Sequence, residues 1–268
     1  MQPNWTKSYV TVNCDKFHYT RTGQGDKPVV VLLHGFSDNG MCWLPVARDL
    51  EEKYDVIMPD ARGHGLSVRV QPGVQIDGAA DAAGFIEALG LEKPIVGGHS
   101  MGGITTTELG ARFPELVSGL ILEDPAWIDP NPEDPPLRRN QMFEWMTNLE
   151  GVSLEQVIAK GKADNPTWPD VEFPAWAESK LQLDKNVFGA VNVRKPWREF
   201  VKAFTCPALL LTADVEKGAI VSPETAAEAT KLSSYLQVAA IPNAGHSIRR
   251  ENYSAYMEAL KGFLDQIS

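Results

Sequence analysis

Gly98-His99-Ser100-Met101-Gly102 is the stretch that most narrows what this chain can fold into, because it sets a serine between close glycines where a strand pattern gives way to a helical one. A serine carried at the tip of a sharp strand-to-helix turn needs neighbours without bulky side chains, so that the backbone can turn and expose Oγ. Pro94-Ile95-Val96 reads as the strand entering the turn, and the residues from Ser100 to about Arg112 read as the helix leaving it, closed by Phe113-Pro114. G-x-S-x-G also arises by chance, so its surroundings decide what it means.

Those surroundings alternate between strand-like and helix-like segments, the order expected of a largely parallel sheet. Tyr9 to Asn13 and Phe17 to Arg21 suggest an opening antiparallel hairpin, and Val29-Val30-Val31-Leu32-Leu33 is a continuous apolar run suited to a central strand buried on both faces. A helix over Cys42 to Glu52, a strand at Val56-Ile57-Met58, a helix over Asp77 to Leu89 and a strand over Val117 to Leu122 complete the first part. The rhythm resumes with a strand at Ala208 to Thr212, a helix at Pro223 to Leu232, a strand at Leu236 to Ile241 and a closing helix from about Asn252 to Ile267.

Between these halves the texture changes. Prolines cluster at Pro125, Pro130, Pro132, Pro135 and Pro136, and Trp127, Trp145, Trp168, Trp176 and Trp197 account for five of the seven tryptophans. The division implied is a core of residues 1–124 and 201–268 with a cap inserted over 125–200. Its tryptophans either pack a small core of their own or close a pocket over the serine; Trp127, Trp145 and Trp176 are the candidates for contact with a ligand.

Composition excludes more than it assigns. A net charge of −10 argues against a nucleic-acid groove or an anionic membrane surface as the main partner. Cys14, Cys42 and Cys206 are odd in number, scattered and without metal-ligand spacing, as in a reducing compartment, and no histidine–carboxylate cluster suggests a metal. The amino terminus is polar, and no apolar run approaches a membrane span. A soluble cytoplasmic protein without metal or other cofactor is the expectation, its oligomeric state left open.

A serine hydroxyl needs a base to act as a nucleophile near neutral pH, and histidine has the appropriate pKa. His99 adjoins the serine but should diverge from it at such a turn, His34 and His64 lie in turn sequences that favour backbone hydrogen bonds, and His18 belongs to the hairpin. His246 differs, since Asn243-Ala244-Gly245-His246-Ser247 follows the last strand and would deliver an imidazole to the carboxyl edge of the sheet.

Taken in order, His34-Gly35-Phe36, Asp60-Ala61-Arg62-Gly63-His64-Gly65-Leu66-Ser67, Gly98-His99-Ser100-Met101-Gly102 and Gly245-His246 resemble the landmarks of the α/β-hydrolase superfamily over nearly the whole chain. The resemblance implies a mostly parallel eight-stranded sheet flanked by helices, with an inserted helical cap. It also implies Ser100 as nucleophile, His246 as general base and then acid, and an oxyanion hole made by the backbone N–H groups of Met101 and Phe36.

For the acid that supports the histidine, most of the family uses an aspartate after the strand that follows the cap. Here Gly218 or Glu216 falls at that position, depending on the alignment, with Asp214 nearby. Some members, including certain haloalkane dehalogenases and zearalenone lactone hydrolases, carry the acid after the strand preceding the cap, where this chain has Asp124. Asp124 is the preferred acid, Asp214 the runner-up and Glu216 the third choice, while Glu123 should point away and Asp60 and Arg62 should be structural. The reading is a serine hydrolase that cleaves a carboxylic ester or lactone of a small to medium apolar molecule through an acyl-enzyme. The alternatives are a carbon–carbon bond hydrolase of the ring-fission type, a thioesterase or lyase, and a binding protein with little turnover.

Overall fold

Residues 5–129, 144–146, 149–189 and 197–267 are described by the computed structural model of the chain. Eight strands form one sheet in the order β1-β2-β4-β3-β5-β6-β7-β8. They are β1 (Thr6–Val12), β2 (Asp15–Arg21), β3 (Val29–Leu33), β4 (Asp55–Pro59), β5 (Ile95–His99), β6 (Gly119–Glu123), β7 (Ala208–Thr212) and β8 (Leu236–Ala240). The β1–β2 hairpin is antiparallel and joins β4 antiparallel, and every later pairing is parallel. This is the eight-stranded, mostly parallel sheet expected.

Alternation along the buried strands splits their side chains between two cores. Val31, Ile57, Val96, Leu120 and Leu210 enter one core with Phe85 and Ile86 of α2 (Gly78–Ala88), Leu109 of α3 (Met101–Arg112) and Ala229 of α7 (Pro223–Leu232). Val30, Val56, Met58, Ile121 and Leu209 enter the other, with Val46 and Leu50 of α1 (Leu44–Leu50) and Tyr256, Leu260 and Phe263 of α9 (Tyr253–Ile267). Helices thus cover both faces, which is why the strands read as continuous apolar runs.

Two helical expectations shift at their ends. The segment expected as one helix from Cys42 begins as a 3-10 turn over Gly40–Trp43 before α1. The closing helix is preceded by a short separate turn, α8 (Ile248–Glu251), broken from α9 at Asn252.

Between β6 and β7 lie α4 (Leu154–Asp164), α5 (Phe173–Gln182) and α6 (Trp197–Lys202). Leu149, Val157, Trp176 and Ala177 make a small cluster there, with Trp145 and Trp168 against it. Trp127 and Trp197 behave differently: they stack at 4.8 Å with rings 6° from parallel, and both belong to the main core. Trp127 Nε1 donates to Thr107 Oγ1 of α3 at 3.0 Å. The stack therefore ties the chain leaving β6 to the chain returning toward β7. Among the prolines of this region, Pro130, Pro132, Pro135 and Pro136 fall outside the described residues.

Trp197→Ala should lower unfolding stability by about 3–5 kcal/mol, the usual cost of emptying a buried tryptophan site. Urea denaturation measures it, and a loss under about 1 kcal/mol would mean that the stack does not brace the two ends.

Candidate active site

Steric necessity at the β5–α3 junction builds the site. Ser100 has φ 52° and ψ −108°, a sparsely populated conformation for a residue with a Cβ. The strain is held by backbone bonds on both sides. Ser100 N–H donates to the Glu123 carbonyl at 3.0 Å, while its own carbonyl accepts from Ile104 at 3.0 Å and Ala126 at 3.1 Å. A Cβ on Gly98 would strike the Gly102 carbonyl, and one on Gly102 would strike the Leu33 carbonyl. The glycines are thus required by the close approach of helix to strand.

The neighbouring strand ends supply the other groups. β3 and β6 flank β5, so the Gly35-Phe36 loop and Asp124 emerge on either side of Ser100 at the carboxyl edge of the sheet. Met101 is the first residue of α3, so its N–H has no carbonyl within the helix to bond. Neither it nor the Phe36 N–H donates to a backbone acceptor among the described residues.

Asp124, fully buried and at φ 37°, is gripped by Ile220 and Val221. Its Oδ1 accepts from Val221 N at 2.9 Å and Ile220 N at 3.1 Å, and its Oδ2 accepts from Ile220 N at 2.9 Å and from His246 Nδ1 at 2.6 Å. An ionised carboxylate only accepts, so the proton sits on His246 Nδ1 and leaves Nε2 with a free lone pair. The two rival acids lie elsewhere. Asp214 accepts from Asn243 N at 3.1 Å, bracing the loop that carries His246, and Glu216 is exposed.

His99, expected only to pack, also meets the histidine of the late loop. Its ring lies 4.7 Å from that of His246, and its Nε2 donates to the His246 carbonyl at 2.9 Å. Burial, with the nearby His246, pushes its pKa well below the usual histidine value, so it stays neutral. His34 Nδ1 donates to the Gly35 carbonyl and its Nε2 accepts from Ala61 N, also under a pKa lowered by burial. His64 Nδ1 donates to the Arg62 carbonyl, and burial beside His34 lowers its pKa to about 3. Asp60 gathers His18 Nδ1, Gly40 N and Leu66 N, and Arg62 bonds Asp81 and Asp15, so both serve the scaffold.

Sequence reasoning missed a cluster of six buried charges beside the site. Glu123 turns away from His246 and holds Arg249, through Nη1 at 2.9 Å and the backbone N at 3.0 Å. Asp38, two residues after Phe36, bonds Lys180 of α5 at 2.8 Å and Arg250 at 2.9 Å, and Arg250 also bonds Glu172 at 3.1 Å. Burial alone would push the Asp38 carboxyl up, but Arg250, Lys180 and Arg249 outweigh it and hold it well below the carboxylate range. The only sequence hint was a pair of arginines three residues past His246, which by pattern alone reads as a solvated surface.

Ser100 and Phe36 lie between two cavities. One, of about 640 Å³, is largely apolar and includes Met101, His64, Ile128, Phe188 and Phe200. The other, of about 520 Å³, includes His246, Trp145, Trp168, Trp176, Lys180 and Arg250. Trp145 and Trp176 therefore stand at a cavity wall. Trp127 lines neither cavity, because its ring is committed to Trp197 and Thr107. Among the described residues no group of three or more His, Cys, Asp and Glu is placed to hold a metal, and no helix is long and apolar enough to cross a membrane.

The model of the Alpha/beta hydrolase family matches residues 30–259. N-formylmaleamate deformylase of Pseudomonas putida is 28% identical, covering 96% of this chain and 95% of that protein. 2-(Acetamidomethylene)succinate hydrolase of Mesorhizobium japonicum is 26% identical, covering 90% of each. Among solved structures, a thermophilic esterase from Thermogutta terrifontis, with malate bound, superposes with a TM-score of 0.74 at 25% identity, over 98% of this chain and 99% of that one.

The depressed histidines carry a stability prediction. His34, His64 and His99 bind fewer protons folded than unfolded below about pH 6.5, so each is neutral in both states above that point and destabilises the fold as pH falls through it. Each costs up to about 1.4 kcal/mol per pH unit below that point. Urea midpoints should therefore change little between about pH 7.5 and 6.5 and drop steeply from there to about pH 5, and a flat profile throughout would contradict neutral buried rings.

Proposed function

The chain belongs to the alpha/beta hydrolase family, and on that premise we propose that it hydrolyses a carboxylic ester or lactone through an acyl-enzyme on Ser100. The observation that carries the reading is the 2.6 Å bond from His246 Nδ1 to buried Asp124, in a cavity lined by both His246 and the strained Ser100. His246 Nε2 takes the Ser100 proton as Oγ attacks the substrate carbonyl, and Asp124 offsets the charge that develops on the imidazole. The N–H groups of Met101 and Phe36 receive the oxyanion. The leaving group departs with the proton from His246, and a water activated by the same nitrogen releases the acid.

Residues 125–200 act as a cap in this reading, with Trp145 and Trp176 contacting the substrate and the apolar chamber taking its hydrophobic part. A second reading draws on the two relatives matched over nine-tenths of their length, whose names refer to formyl and acetamido compounds. The same machinery would cleave a small N-acyl bond, provided His246 protonates the departing nitrogen. Comparing an aryl ester with the matching anilide separates the two.

Ser100→Ala should cut hydrolysis of p-nitrophenyl butyrate by about a thousandfold or more. Equal rates in both proteins would sink the nucleophile. Asp124→Asn should lower kcat by about a hundredfold or more, and Asp214→Asn by under about tenfold. Reversal of that order would transfer the acid role to Asp214.

A further inference from the structure

Arg250 is 3% exposed yet lines the cavity that contains Ser100 and His246. Its Nε donates to Glu172 Oε2 at 3.1 Å and its Nη2 to Asp38 Oδ2 at 2.9 Å. Nη1 bonds no described residue, and it is not among the buried polar atoms sealed without a partner. The guanidinium lies 4.6 Å over the ring of Trp168, which lines the same cavity, so its direction is fixed from three sides. Lys180 borders the cavity too, but its ammonium is spent on the Ser37 carbonyl, Ser37 Oγ and Asp38. Among the described residues, one rigid, desolvated cationic N–H group thus remains without an acceptor, on a side chain that lines the cavity where the reacting carbonyl would lie.

We propose that Arg250 Nη1 receives a carboxylate of the substrate, so that this protein acts on acyl compounds bearing an anionic group. The proposal rests on the hydrolase reading and names its substrate class. A carboxylate is the acceptor that gains most from a preorganised guanidinium, because both partners are charged and the donor needs no reordering. Of the two acids in the cavity lining, Asp38 is already offset by Lys180, Arg250 and Arg249, and Asp164 is paired with Lys160, which lowers the repulsion that an arriving anion meets. The substrate's carboxylate enters the 520 Å³ cavity beside Arg250 and its apolar part the 640 Å³ cavity, with the scissile carbonyl at Ser100 between them.

Two substrates of equal chain length test this: the p-nitrophenyl half-ester of adipic acid, and p-nitrophenyl hexanoate, which carries a methyl group in place of the carboxylate. The intact protein should favour the half-ester in kcat/KM by about tenfold or more, a size typical of a charge-assisted hydrogen bond. In Arg250→Gln that ratio should collapse toward one, whatever happens to the absolute rates. Because this variant disturbs a buried ion cluster, calorimetry on Ser100→Ala supplies a second reading, with adipate expected to bind at least about tenfold more tightly than neutral adipamide. A wild-type ratio near one, or equal binding of adipate and adipamide, overturns the anion site while Ser100-dependent hydrolysis of the hexanoate keeps the hydrolase reading intact. Adipate binding without any Ser100-dependent turnover supports the anion site and sinks the hydrolase reading instead.

Discussion

Everything at the carboxyl edge of this sheet depends on how closely α3 approaches β5. The helix can begin with only Ser100 between it and the strand because Gly98 and Gly102 present no Cβ to the carbonyls of Gly102 and Leu33. Gly103 plays the same part against Pro125, where a Cβ would come within 2.8 Å of Cα. That contact brings the chain leaving β6 against the start of the helix, and with it the Ala126 N–H that holds the Ser100 carbonyl. Strain at one residue is thus offset by backbone bonding spread over three elements.

A second layer of order comes from the buried charges. Three cations and three anions, Lys180, Arg249, Arg250, Asp38, Glu123 and Glu172, join the loop after β3, the end of β6, the turn after His246 and the helices between β6 and β7. Burying such groups costs more than burying apolar side chains of similar volume, so the cluster is weak evidence for stability. What it supplies is placement, since each ion is correct only when four separate segments are in register. Arg249 adds to this by lying 4.0 Å over the ring of Trp43.

The sequence disclosed the parts of this arrangement that are local and hid those that are not. Helix α3 and strand β7 were legible from apolar spacing and punctuation, and Ser100 from the glycines that its turn demands. Asp124 could be preferred because its competitors sat badly in the expected pattern. Nothing in the chain's local chemistry linked Asp38 to Lys180, 142 residues away. Nor did any pattern distinguish Trp127, absorbed into a ring stack, from Trp145 and Trp176 at the cavity wall, because an aromatic residue looks the same in either place.

The grip of Ile220 and Val221 on Asp124 bears on how such a site changes over generations. Asp124 follows β6, but the amides that orient it come from the segment after β7, the place where the family resemblance put the more usual aspartate. Two adjacent strands therefore address one point in space, and ancestry could pass the carboxylate from one to the other without moving the histidine. The passage is narrow: an intermediate holding both acids would set like charges side by side and favour protonation of one, while an intermediate holding neither would have no partner for Nδ1.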